Sequence, residues 1–242
     1  MRRRRVETAA LPDEIASSDG MAYSLWLPKR SAPRAGVLIL HGAGSCKESH
    51  HDFARAAQAA GLAALAFDQR GHGASEGAMG GDVLEDIGHM AEVLRSHLGP
   101  GRRAVALRGS SMGGCLALLA AGGADAAAVV AICPASPTGM RRRLAGGDVP
   151  FRADTPALDA LLARVDLSEV IASLQAPLLL LHAEGDEQVP VQHSRELAQH
   201  MRSPLSRLIT LPGGHHRSIQ HDGELQAVSL RFIEKALAAE QA

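Results

Sequence analysis

The stretch Gly109-Ser110-Ser111-Met112-Gly113 joins an apolar run, Ala104 to Leu107, to an apolar helical stretch at 113–121. A serine at the tip of so tight a strand-to-helix turn is held with its hydroxyl exposed, and the helix N-terminus behind it adds positive potential. The glycines at 109 and 113 remove Cβ atoms that would clash as strand and helix close on each other. A hydroxyl becomes a strong nucleophile only when a base takes its proton and a carboxylate orients that base. Two later segments offer such groups. A Leu run at 178–181 is followed by His182-Ala183-Glu184-Gly185-Asp186, and a run ending at Leu211 is followed by Pro212-Gly213-Gly214-His215-His216. Serine, acid and histidine therefore follow three apolar runs, in the chain order that one large class of serine enzymes requires. Asp186 has Glu184 and Glu187 as rivals, which read as solvated loop charges. His215 and His216 are adjacent, so both cannot face Ser111.

The elements that must position these residues are legible as a rhythm. Apolar runs at 37–40, 62–67, 104–107, 126–133, 178–181 and 206–211 are apolar on both faces, as strands buried between helix layers are. Helical stretches alternate with them at 51–60, 82–97, 113–121, 191–201 and 225–238. Alternation of this kind predicts a doubly wound, mostly parallel α/β sheet in a single domain over residues 1–242. Residues 22–27 read as one strand of an antiparallel hairpin at a sheet edge, and residues 1–8 as a disordered start. Residues 134–173 break the rhythm with Pro137, Pro150, Pro156, the Arg141-Arg142-Arg143 run and Gly146-Gly147. This segment is too long for an ordinary crossover loop and reads as a small insertion above the carboxyl edge of the sheet, where ligands bind in such folds.

Composition narrows the function. A formal net charge of −1 over 242 residues argues against nucleic-acid binding, which needs a basic field. Hydrophobic residues make up 46% but aromatic ones only 2%, so the core and any apolar pocket are expected to be aliphatic. No apolar run reaches the ~18 residues of a membrane span, and no apolar segment follows Arg2 to Arg5 as a secretory signal requires. Cys46, Cys115 and Cys133 are too few for a disulfide framework, which favours a cytoplasmic setting. Although there are 12 histidines, none pairs with Glu or Cys at zinc-site spacing, so no metal and no cofactor is expected. The other histidines read as hydrogen-bonded or surface side chains, and a homodimer is left open.

From about Gly36 onward the chain resembles the α/β-hydrolase superfamily, and within it the branch of small serine esterases related to serine aminopeptidases and lysophospholipases. His41-Gly42-Ala43-Gly44 resembles the oxyanion loop of that family. Residues 67–77, Phe-Asp-Gln-Arg-Gly-His-Gly-Ala-Ser-Glu-Gly, resemble its Asp-x-Arg-Gly-x-Gly-x-Ser turn. Glu184-Gly185-Asp186-Glu187-Gln188-Val189-Pro190 resembles its acid loop, with Ala183 where glycine is usual. The resemblance implies Ser111 as nucleophile, His216 as general base and Asp186 as its orienting acid. His216 is preferred because the family base ends a run of small residues after one variable position. The resemblance also implies an oxyanion hole made by the backbone N–H groups of Ala43 and Met112. Serine at 111 disfavours the Asp and Cys nucleophiles of halide-displacing and dienelactone-cleaving relatives. The expected reaction is hydrolysis of a small-molecule carboxylic ester of modest size. An amide or thioester substrate, or a non-catalytic binding protein on the same fold, are the alternatives.

Overall fold

The computed structural model describes residues 10–101 and 103–240; the segment 1–8, expected to be disordered, lies outside them. Eight strands form one sheet: β1 (Glu14–Ser18), β2 (Met21–Trp26), β3 (Gly36–Leu40), β4 (Ala63–Phe67), β5 (Val105–Ser110), β6 (Ala126–Ile132), β7 (Leu178–Ala183) and β8 (Arg207–Leu211). Their spatial order is β1-β2-β4-β3-β5-β6-β7-β8. β1 and β2 form an antiparallel hairpin and β2 pairs antiparallel with β4, while all remaining pairs are parallel. β3, β4, β6 and β7 bury both faces almost throughout, which is why they read as unbroken apolar runs.

Helices cover both faces. α1 (His51–Ala59) and α8 (Gly223–Glu240) pack on one side through Phe53, Ala57, Phe232 and Ile233. On the other side lie α2 (Val83–Ser96), α3 (Met112–Ala120), α6 (Leu167–Ser173) and α7 (Val191–Ala198), with Ile87, Leu94, Leu116, Ile171 and Leu197 in the core. After β3 the chain turns through α1 to β4 on one flank, whereas after β5 it turns through α3 to β6 on the other. The carboxyl ends of β3 and β5 therefore flank a topological switch point. A crevice opens there because the two connections leave in opposite directions.

The segment at 134–173 is helical. It contains α4 (Pro137–Ala145), α5 (Thr155–Leu162) and α6. Each helix starts on a side-chain cap: Ser136 Oγ accepts from Gly139 N, Asp154 from Ala157 N and Asp166 from Ser168 N. α4 and α5 pack together as a cap, whereas α6 packs on α3 and α7 as the ordinary crossover helix into β7. The raised insertion is therefore shorter than the sequence rhythm suggests. The chain between the two cap helices is pinned to the body, since Met79 N donates to Arg152 O at 2.9 Å and Asp154 N to Met79 O at 2.8 Å.

Two histidines beside the sheet are buried and uncharged. Burial lowers His41 to about 4 and His50 to about 3. They are respectively 0% and 1% exposed. Unfolding returns each ring to an ordinary value near 6.5, so below that pH the unfolded chain binds protons that the folded chain does not. Stability is unaffected above about pH 6.5 and falls toward pH 4. Going from pH 7 to pH 5 is expected to cost roughly 2 kcal/mol per ring. Urea midpoints at the two pH values measure this loss, and His50→Leu should reduce it by that share. An undiminished loss in the variant would assign the acid sensitivity elsewhere.

Candidate active site

Ser111 stands between β5 and α3 with φ +53° and ψ −118°, outside the regions that side-chain-bearing residues favour. The turn is possible because two glycines allow backbone to touch backbone. A Cβ on Gly109 would lie 2.0 Å from Gly113 O, and one on Gly113 would lie 2.4 Å from Leu40 O. The strained serine is fixed on both sides: its N–H donates to Ile132 O at 2.8 Å, and its carbonyl accepts from Ala135 N at 3.0 Å. Met112 is the first residue of α3, so its N–H has no partner one turn earlier in the helix. Met112 and Ala43, from the loop after β3, line the same cavity as Ser111.

Asp186 follows β7 and His216 follows β8. The two turns approach closely because position 185 is glycine; a Cβ there would lie 2.4 Å from Gly214 O. Asp186 Oδ1 accepts from Gln188 N at 2.8 Å and Val189 N at 2.9 Å, while Oδ2 meets His216 Nδ1 at 2.7 Å. Its side chain is wholly buried. Burial by itself would raise the carboxyl, but the Val189 and Gln188 amides and the His216 ring outweigh it and hold Asp186 below the usual carboxylate range. It is ionised at neutral pH and holds the His216 ring by one nitrogen, leaving the other for proton transfer.

His216, buried with 8% of its surface exposed, is the histidine that meets the acid; His215 is exposed and its ring accepts from Arg217 N at 3.3 Å. The rival acids are engaged elsewhere. Glu184 pairs with Arg195 at 2.8 Å, and Glu187 Oε2 accepts the His216 main-chain N–H at 3.3 Å. Ser111 and His216 line one cavity.

Two supporting residues, His182 and Arg108, had no site role assigned from the sequence. His182, at the end of β7, meets Ser194 Oγ through Nδ1 at 2.7 Å and donates from Nε2 to Val189 O at 2.9 Å. It thereby braces the turn whose amides hold Asp186, and its four-residue spacing from Asp186 is the signal for it. Arg108 is a lone charge in an otherwise apolar strand. Its guanidinium lies 3.9 Å from the Phe53 ring centroid and donates to Gln220 O at 3.1 Å, tying the loop that carries His216 to the sheet. Burial pulls Arg108 down to about 10, so it stays charged. Cys133 Sγ lies within 4.8 Å of ligand atoms of Asp186 and His216. Burial pushes its thiol up, which keeps it protonated and unsuited to holding a metal.

Behind this edge sit two chambers that meet at Ser111. One, of about 210 Å³, lies under the cap and is walled by Met140, Leu144, Val149, Phe151 and Leu158. Phe151 and His193 add rings to these largely aliphatic walls, and Arg142, Arg143 and Gln188 line the chamber as well. The other, of about 380 Å³, is polar and includes His216, Ser45, Ser49 and Gln220.

The fold is that of the α/β hydrolases, and the chain is a serine hydrolase of that fold. The family model described as serine aminopeptidase, S33, matches residues 31–147. The chain is 28% identical over 247 residues to a monoacylglycerol lipase of Mycolicibacterium smegmatis, covering 81% of this chain and 85% of that one. Its fold superposes on Est1E of Butyrivibrio proteoclasticus bound to ferulic acid, with a TM-score of 0.71 at 20% identity over 95% of this chain and 100% of that one. A soluble variant of monoglyceride lipase from Saccharomyces cerevisiae gives a TM-score of 0.72 at 18% identity, covering 97% of each chain. Among the described residues no helix is long and apolar enough to cross a membrane.

Proposed function

We propose that this chain hydrolyses carboxylic esters of small to medium apolar acids through an acyl-enzyme on Ser111. The observation that carries the reading is the pair of chambers meeting at Ser111, of which only the polar one contains His216. The leaving alkoxide must take a proton from the base, so the alcohol half occupies the His216 side and the acyl half the apolar side. His216 takes the Ser111 proton as Oγ bonds to the acyl carbon. The N–H groups of Ala43 and Met112 stabilise the oxyanion. The bond to the alcohol oxygen then breaks and His216 protonates that oxygen. Water repeats the sequence, its proton going to His216 and its hydroxyl to the acyl carbon, and Ser111 leaves with a proton restored.

Ester is favoured over peptide by the wall chemistry. A peptidase that captures a free amino terminus needs a carboxylate in the pocket, yet no Asp or Glu lines either chamber. The cap carboxylates are engaged in other ways: Asp159 pairs with Arg141 at 2.8 Å, and Asp154 caps α5. The unpaired cysteines fit a reducing compartment such as the cytoplasm.

p-Nitrophenyl esters of acetate through decanoate, compared with aminoacyl-p-nitroanilides, test this reading. Ester turnover with no anilide turnover is expected, and the reverse would overturn it. Met140→Trp fills the apolar chamber, so kcat/KM for decanoate should fall about tenfold or more while acetate changes little. A uniform loss across chain lengths would instead remove the acyl half from that chamber.

A further inference from the structure

We propose that the polar chamber selects esters whose alcohol half is an anion, a carboxylate or a phosphate group. This inference rests on the ester-hydrolase reading and specifies its leaving group. Two arginines line the chamber, Arg217 directly after His216 and Arg143 from the last turn of α4, and no carboxylate lines it. Arg217 makes no ion pair among the described residues and its side chain belongs to an exposed residue. Arg143 faces Asp148 at 3.3 Å, which offsets part of its charge.

The nearby acids are spoken for. Asp52 accepts from His221 Nδ1 at 2.9 Å and from Gln226 Nε2 at 2.7 Å, and Glu187 accepts the His216 amide. His221 is itself occupied at both nitrogens, by Asp52 and by Gln220 Nε2 at 2.8 Å. The field at the alcohol end is therefore set chiefly by two arginines, Arg143 on the cap and Arg217 on the body. Hydroxyl groups of Ser45 and Ser49 and the Gln188 amide offer further donors to an oxyanion there. Arg143 and Gln188 also line the apolar chamber next door, together with Arg142, so Arg217 is the arginine particular to the alcohol side. The positive field of these arginines also attracts an anionic substrate from solution, and the attraction weakens with salt.

Hydrolysis of two matched pairs tests the proposal. One pair is hexanoyl-glycolate against hexanoyl-glycolamide, and the other is 1-hexanoyl-glycerol 3-phosphate against 1-hexanoyl-glycerol. In low salt the anionic member of at least one pair should be favoured about tenfold in kcat/KM, with the preference shrinking in 0.5 M salt. The pair that responds identifies carboxylate or phosphate as the better fit. Arg143→Ala with Arg217→Ala should abolish the ratio, Arg217→Glu should invert it, and Arg217→Lys should keep most of it. Because the readout is a ratio within each variant, a general loss of activity cancels. Equal turnover of both members by the parent enzyme, or a preference that survives in the double variant, overturns the charge selection alone. Failure to hydrolyse any of the four esters overturns the ester-hydrolase reading instead.

Discussion

Replacing Ser111 by alanine is expected to lower kcat for p-nitrophenyl butyrate by about 10⁴–10⁶-fold, the usual cost of deleting a serine nucleophile. The same variant should lose covalent labelling by a fluorophosphonate probe while keeping the fold. Its thermal midpoint should be unchanged within a few degrees, because the Ser111 side chain contributes no hydrogen bond among the described residues. A glycine at 111 provides a second arm. The serine is held at φ +53°, and strain of this kind costs about 1–3 kcal/mol, so Ser111→Gly should be as inactive as the alanine variant yet more stable. Labelling that persists in either variant would move the nucleophile elsewhere.

Asp186→Asn should be nearly as damaging, for a reason that its hydrogen bonds define. Oδ1 accepts two backbone N–H groups, from Gln188 and Val189. An asparagine must keep its carbonyl oxygen there, because its amide nitrogen has no lone pair to accept them. The NH₂ group then faces His216 Nδ1, where the aspartate oxygen stood at 2.7 Å. His216 can meet a donor only with Nδ1 unprotonated, which puts its proton on the nitrogen that must receive one from Ser111. A drop of about 10⁴-fold in kcat is expected at neutral pH. The KM should move far less, and circular dichroism should match the parent. A loss of less than tenfold would mean that Asp186 does not set the His216 tautomer.

The sheet and the candidate site residues were legible for the same reason. Strands buried on both faces, such as β3 and β7, are written as unbroken Val, Leu and Ile, and a turn at each carboxyl end carries one polar residue of a distinctive type. The preference for His216 over His215 came from a resemblance, and the geometry brings His216 to Asp186. The cap was not legible as helices. Pro137, Pro156 and the Arg141-Arg142-Arg143 run look like interruptions, but the prolines sit in the first turns of α4 and α5, where a missing N–H costs nothing. Ser136, Asp154 and Asp166 were the cues to those helix starts. Arg108 escaped because its role depends on a partner far away in sequence, Gln220. No local pattern encodes such a pairing.

The α4–α5 hairpin leaves the body after β6 and returns through α6 without adding a strand, and it is fastened to the β4–α2 loop by main-chain bonds at Met79. Those fastenings do not depend on side-chain identity. The hairpin can therefore lengthen, shorten or change its lining through descent while every strand keeps its register and the edge residues keep their spacing. Preference for one acid over another is thus heritable apart from the capacity to cleave, and a lineage can exchange the first without losing the second.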